Sequence, residues 1–461
     1  MPIDMMNQND RENARPPLAE FEGYAECSLF SEDVKISLTE NEVVISALFD
    51  HLILPYSEIT SFTFENNRVS VQTEELSVCF SRMGQQAEWL YDKLSVAYND
   101  AVLKALKVSG ECLFEADASF ALKENGAELS ENGKIHLYED CICLLPSNEN
   151  ARRIPLCFVK SMKKGDYSVT LILSEREQYT ISKMGRELDY FEHLFVQSMR
   201  KLQDKTAAWH RELAPNLRTL QLSASAKLMP YSTAASLKEL MQSAPELAEA
   251  LQAEIKRSRI AKTFLWLKAL SVDDSLAIGA KPAPLKEEGE ELPAEEVSDE
   301  SAETETKEEP TPILWVAAPD KEKRIVAVEL ALADNESAAT YLYRISGKWK
   351  DFSMQIDRAL EATSFERELI TISEEKLCLP EKAQVRILIR RTPSLQLLRK
   401  CFMGKAIHSS QERWIKDIKK HSEKEPKTKG DVITENRFCT NCGSKLNGGM
   451  RFCGQCGSKI Y

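Results

Sequence analysis

Four cysteines near the end of the chain carry its clearest chemistry. Residues 438–461 read FCTNCGSKLNGGMRFCGQCGSKIY, and one Cys-x-x-Cys-Gly-Ser-Lys unit recurs after 14 residues. Cys439 and Cys442 form the first pair, Cys453 and Cys456 the second. Each Cys-x-x-Cys turn aims two sulfurs at one metal, and four thiolates complete a tetrahedral zinc shell. Gly443 and Gly457 free the backbone after each pair, so that N–H groups can point at the sulfurs and offset their charge. No position stays open for water or substrate, so the predicted Zn2+ is structural. The segment is too small to fold on its own apolar surface. Metal binding then supplies its folding free energy, on the order of 10 kcal/mol. The competing reading is a pair of disulfides or a redox dithiol. Two matched Cys-x-x-Cys-Gly units weigh against it.

This pattern resembles the zinc-ribbon family, in particular the short terminal ribbons of bacterial and archaeal multidomain proteins. The resemblance covers residues 437–461 and implies two knuckles joined by a short hairpin. Asn447-Gly448-Gly449 supplies the turn signal.

Catalytic chemistry has no comparable pattern. The six histidines (His51, His136, His193, His210, His408, His421) are scattered without metal-ligand spacing. Gly404-Lys405 lacks the upstream glycine of a phosphate loop, and no Gly-x-Ser-x-Gly occurs. The expectation is therefore no catalytic residues, no cofactor beyond zinc and no small-molecule substrate. Eight further cysteines (Cys27, Cys79, Cys112, Cys141, Cys143, Cys157, Cys378, Cys401) lack framework spacing and read mostly as buried free thiols. Zinc thiolates beside free thiols point to a reducing cytoplasm. The N-terminal stretch has no apolar core of a signal peptide, and no apolar run is long enough to span a bilayer.

Net charge is −12, with a strong asymmetry. From Val385 to Tyr461 there are 17 Lys+Arg against 6 Asp+Glu, a net of +11. Lys416, Lys419 and Lys420 begin a basic tether that continues into Arg437, Lys445, Arg451 and Lys459 of the ribbon. An acidic partner is implied: nucleic acid, another protein, or the chain's own acidic linker.

The elements that would position this chemistry follow from internal repetition. Leu54-Pro55-x-x-x-Ile59-x-Ser61 recurs as Ile154-Pro155-x-x-x-Val159-x-Ser161. Ser81-Arg82-Met83-Gly84 recurs as Ser182-Lys183-Met184-Gly185. The offset of 100 to 101 residues throughout predicts a duplication. Each copy alternates apolar and polar residues in short strands, then turns helical after Gly84 or Gly185. The predicted class is α+β multidomain. Two small β-barrel or sheet modules, each closed by a C-terminal helix, precede a helical segment, a third α/β module and the ribbon.

The predicted boundaries are a disordered arm (1–20), repeat one (21–104), repeat two (105–205) and a helical segment (206–272). An acidic linker (273–311), a third α+β module (312–422), a basic linker (423–436) and the ribbon (437–461) complete the chain. Residues 206–270 read as helices, with a Ser243-to-Glu246 capping box and Pro245 in the first turn. Leu285–Pro310 carries 12 acids and 2 lysines and reads as extended. In the third module, Leu369–Ile372 and Val385–Ile389 read as strands. Its Ser346-Gly347 step into a helix suggests a degenerate third copy.

A strand meander closed by a helix resembles the pleckstrin-homology-like superfold, which implies a module that binds phosphoinositides, peptides or proteins. Repeat one departs from the lipid-binding members: Tyr24–Lys93 has 12 acidic and 4 basic residues. An anionic membrane should repel it, so membrane binding is not expected. Arg152, Arg153, Lys160, Lys163 and Lys164 of repeat two form either a phosphate site or a solvated hairpin face. The overall expectation is a non-enzymatic adaptor or scaffold that binds a protein partner. The alternative is a nucleic-acid-binding protein that uses the tether and ribbon, with Phe438 or Phe452 stacking on bases.

Overall fold

The computed structural model describes residues 16–422 except 125, 272–274, 283–311, 323 and 332–338, together with 437–438 and 445–446. Strands β1 (Ala19–Glu26), β2 (Ser31–Leu38), β3 (Glu42–Ser46), β4 (His51–Pro55), β5 (Ile59–Glu65), β6 (Arg68–Thr73) and β7 (Ser77–Ser81) lead into helix α1 (Gln86–Ala105). They form one antiparallel sheet in the order β4-β3-β2-β1-β7-β6-β5. Alternation along β2 buries Val34, Ile36 and Leu38 on one face, and α1 lays Leu90, Leu94, Tyr98 and Val102 into the same core.

The second set repeats this plan. It comprises β8 (Phe114–Glu124), β9 (Ala127–Leu137), β10 (Cys141–Pro146), β11 (Arg152–Pro155), β12 (Ser161–Lys164), β13 (Ser168–Ser174), β14 (Glu177–Ser182) and α2 (Leu188–Leu213). Its sheet order, β11-β10-β9-β8-β14-β13-β12, is that of the first sheet. The step into each helix is also the same. Arg82 and Gly84 have φ of 58° and 57°; Lys183 and Gly185 have 63° and 60°. Glycine meets the second left-handed position without steric cost, which accounts for the shared Met-Gly.

The third sheet is built differently. After α3 (Thr219–Leu228), strand β15 (Ala234–Ser236) leads to α4 (Leu237–Ser243), α5 (Pro245–Arg257) and α6 (Ala261–Leu270). Then come β16 (Ala277–Lys281), β17 (Ile313–Pro319), β18 (Ile325–Ala331) and β19 (Ala339–Arg344). Helices α7 (Trp349–Ala362), α8 (Arg367–Thr371), α9 (Glu374–Leu377), α10 (Ala383–Arg391) and α11 (Pro393–Cys401) precede β20 (Phe402–Ile407) and α12 (Gln411–Ser422). The six strands pair antiparallel in sequence order. Helices cover both faces. Trp315 and Ala317 of β17 join the core beneath α7, α10 and α11, while Leu314, Val316 and Ala318 join that of α3–α6 and α12. A strand buried on both sides must be apolar throughout, which is why Ile313–Val316 shows no alternation.

Several expectations are corrected here. The boundary at 205/206 falls inside α2, whose 26 residues continue to Leu213. Residues 206–272, 273–311 and 312–422 do not separate into helical segment, linker and module. Strand β15 comes from the first, β16 from the second, and β16 pairs with β17 across the acidic stretch, Lys281 opposite Ile313. The third sheet's plain sequence order is not that of a third copy. Leu369–Thr371 fall in helix α8, with Ile372 as its C-cap, and Val385–Ile389 fall in α10, rather than in strands. In α10, Val385, Ile387 and Ile389 alternate, but Leu388 and Arg391 are buried beside Ile387. Packing against α1 outweighs the β-branched preference. The capping box is absent. Ser243 ends α4 and donates to the Glu239 carbonyl at 2.7 Å, and Ala244 is the N-cap of α5. Among the eight cysteines, only Cys141 and Cys143 are buried, and Cys112 and Cys378 are exposed.

Ion pairs and a shared core join the three sheets. Arg153 Nη1 meets Glu361 of α7 at 2.7 Å, and Arg358 pairs with Glu177. Arg386 Nη2 donates to Ser57 Oγ at 3.0 Å, and Lys107 Nζ pairs with Glu366 at 3.0 Å. The basic group of repeat two is thus neither a phosphate site nor one solvated face. Arg152 is bound to Glu124 at 2.9 Å, Arg153 to Glu361, and Lys164 to Asp189 at 2.9 Å.

Candidate functional site

A cleft of about 840 Å³ opens where the second module meets the third. Phe158 and Lys160 come from the short helical turn after β11 and the residues beyond it. Lys227 ends α3, Lys238 and Glu239 open α4, and Lys321 lies in the β17–β18 turn. Trp349, Lys350, Met354 and Asp357 project from α7 at the spacing of one helix face. Such a junction between modules is a common position for ligand sites.

The electrostatics of the cleft are lopsided. Lys350 is 3.6 Å from Glu239. Lys160, Lys227, Lys238 and Lys321 have no ion-pair partner among the described residues, and all four are exposed. Deeper in, Asp357 is only 5% exposed. Its Oδ2 accepts from the Ala234 N–H and its Oδ1 from the Trp315 Nε1–H, both at 2.9 Å. Burial pushes its pKa up to about 7, and the two neutral N–H donors only partly oppose that. The carboxyl is thus half neutralised near neutrality and caps the edge strand β15, while the rim stays cationic. Trp349 is fixed by its Nε1–H to the Ser275 carbonyl, 3.0 Å away. This arrangement suits an anionic ligand with some apolar surface. The lysines come from five separate elements, so of these only Lys160 stood out in sequence, and no local spacing marks the rest.

Two other places bear on function. In the first sheet, the β1–β2 and β3–β4 turns expose Leu29 (65%), Leu48 (76%) and Phe49 (90%). In the second sheet the turn equivalent to the latter is docked. The Ser147 carbonyl accepts from the Phe62 N–H at 2.9 Å, and the Asn148 carbonyl from Tyr98 Oη at 3.1 Å. Inside the third module, Thr340 Oγ1 lies 2.7 Å from Glu329 Oε2 and 2.8 Å from His408 Nε2, and accepts from Trp414 Nε1 at 2.9 Å. Hydroxyl, imidazole and carboxylate meet there, but Glu329 and Thr340 are fully buried. The cluster satisfies polar groups under α12 and offers no face to a substrate.

Lys416, Lys419 and Lys420 are exposed on α12, opposite the buried Trp414 and Ile418. Arg437 and Lys445 fall on two short strands, β21 (Arg437–Phe438) and β22 (Lys445–Leu446), paired Arg437 opposite Leu446 and Phe438 opposite Lys445. These strands bracket Cys439 and Cys442 in sequence. The four cysteines, the Asn447-Gly448-Gly449 turn, Arg451, Phe452 and Lys459 lie outside the described residues. Among the described residues no group of three or more His, Cys, Asp or Glu could hold a metal, and no helix is long and apolar enough to cross a membrane. No curated protein matches the chain. A zinc-ribbon domain family matches residues 438–460, and its four thiolate donors fit a structural zinc ion.

Proposed function

We propose that the protein is a non-catalytic adaptor that holds an acidic segment of a protein partner in the lysine-lined cleft. The C-terminal ribbon, one zinc bound by Cys439, Cys442, Cys453 and Cys456, supplies a second contact. The observation that carries this reading is the set of four lysines without acid partners around a cleft of about 840 Å³. The strand order and closing helix of the two seven-stranded modules fit a pleckstrin-homology-like plan. In this reading they act as scaffold, since the second packs its loop end against the first. Two contacts on one chain reinforce each other through effective concentration. Free thiols and a zinc tetrathiolate suit the reducing cytoplasm.

The test uses full-length protein and a fluorescent 12-residue Asp/Glu peptide, read by anisotropy. Combined Lys227→Glu, Lys238→Glu and Lys321→Glu should weaken binding at least tenfold, with no loss of the folded circular dichroism spectrum. Unchanged affinity would exclude the cleft as the site.

A second reading is favoured by the exposed lysines of α12. Lys416, Lys419 and Lys420 form a basic face of α12 suited to nucleic-acid phosphates, and Arg437, Lys445, Arg451 and Lys459 add positive charge further along the sequence. The reading predicts the opposite pattern. DNA or RNA binding with a steep salt slope would be lost on Lys416→Glu, Lys419→Glu and Lys420→Glu, and unaffected by the cleft variants.

A further inference from the structure

A small cavity, about 20 Å³, lies where β11, α7, α10 and the start of α11 meet. Four guanidinium groups line it: Arg152, Arg153, Arg358 and Arg391. Three have buried or half-buried carboxylates. Arg152 holds Glu124 at 2.9 Å, Arg153 holds Glu361, which also lines the cavity, at 2.7 Å and Asp140 at 3.3 Å, and Arg358 pairs with Glu177. Arg391 is 1% exposed and has no carboxylate among the described residues. Its Nη2 donates to Tyr98 Oη, but its Nε and Nη1 have no partner among the described residues. Arg153 Nε and Ser394 Oγ, which also line the cavity, are equally without partners.

Arginine cannot shed its proton, and a buried charge is tolerated only when something compensates it. Buried N–H and O–H groups are ordinarily hydrogen-bonded. Here four unsatisfied polar atoms surround one space. Three are obligate donors, and the hydroxyl can act as a fourth. Ser394 also lies in the first turn of α11, whose dipole is positive at that end. The space is small enough to favour a single compact guest over a bulky one. The one carboxylate in the lining, Glu361, is already held by Arg153, so the unpartnered donors around Arg391 and the small space suit a single small anion. We propose that this cavity binds a single halide ion, chloride in the cell. The ion neutralises Arg391 and ties the second module to α10 and α11.

The first experiment is bromide exchange into crystals of the full-length protein, read by anomalous diffraction. An anomalous peak within hydrogen-bond distance of Arg391 and Ser394 is expected. In solution, the melting temperature in sodium chloride should exceed that in sodium gluconate of equal ionic strength by about 2 °C or more. Arg391→Met should abolish that difference, since it removes the charge and keeps the length of the side chain. If that variant does not fold, Ser394→Ala should shrink the difference. The absence of a bromide peak, with equal melting in both salts, would leave an ordered water and overturn the halide site.

Discussion

Two buried titratable groups, Asp357 on α7 and His210 near the end of α2, should impose opposite pH dependences on stability. Burial pushes Asp357 from 3.8 up to about 7, so its protonated form belongs to the folded state. Its stabilising contribution is complete below pH 3.8 and is lost as pH rises through 7, a change of roughly 4 kcal/mol. Burial pushes His210 from 6.5 down to about 4, so its neutral form belongs to the folded state. That contribution is complete above pH 6.5 and is lost as pH falls through 4, roughly 3 kcal/mol. His210 is fully buried, bonded to Ser225 Oγ at 3.0 Å through Nδ1, and its Nε2 has no partner. Between pH 4.5 and 6.5 the two slopes oppose each other. Glu177 acts outside this window: burial alone would raise it, but Arg358 holds it below 4.5. Glu42 and Asp100, raised by burial, add to the slope of Asp357, and His136, lowered by burial, adds to that of His210, so the variants are read against the native profile. Relative to the native protein, stability with His210→Gln should fall by about 3 kcal/mol across the window, and with Asp357→Asn it should rise by about the same amount. Urea unfolding at a series of pH values, followed by tryptophan fluorescence, measures this. Five of the six tryptophans (Trp209, Trp266, Trp315, Trp349, Trp414) lie in or beside the third module. Profiles of both variants that run parallel to the native one would refute the reasoning.

Gly279 faces the Trp315 ring so closely that a Cβ would lie 1.9 Å from Cε2. Gly279→Ala should destabilise by about 3 kcal/mol, measurable as a drop in urea midpoint. Removing one partner of the buried Glu177–Arg358 pair, by Glu177→Gln, should cost about 3–5 kcal/mol, whereas an apolar pair at both positions should recover much of it. Strands β21 and β22 pair only with each other. Chelation, or Cys453→Ser, should therefore release zinc in a stoichiometry of about one per chain, with little change in the melting of the body. Mass spectrometry and circular dichroism on the same sample would test both halves.

The first two sheets were legible in the sequence because they solve a local problem. Strands such as Val34–Leu38 and Val69–Val71 bury one face, so alternation shows in every segment. The shared Ser-x-Met-Gly step marks where each sheet gives way to its helix. The third module was only half legible. Its strands are covered on both faces, which erases the period of two, and α10 imitates a strand because alternate β-branched residues also satisfy one helical face. Pairing of β16 with β17 across 31 residues has no local signature at all. The same holds for the cleft and the arginine cavity. Both are assembled from side chains whose sequence neighbours are unremarkable, and the ribbon was visible because its four ligands are close in sequence.

The duplicated sheets have diverged most at their loop ends, and the divergence has a physical logic. In the second sheet the β10–β11 turn reads Ser147-Asn148-Glu149-Asn150, polar residues able to bond a neighbouring strand and helix. They do so through Thr60, Phe62 and Tyr98. The corresponding turn of the first sheet reads Ala47-Leu48-Phe49-Asp50, apolar at its tip and bonded only to itself, Ala47 N–H to the Asp50 carbonyl at 2.9 Å. A polar turn spends its hydrogen bonds on docking inside the molecule; an apolar tip left in water gains free energy only when something covers it.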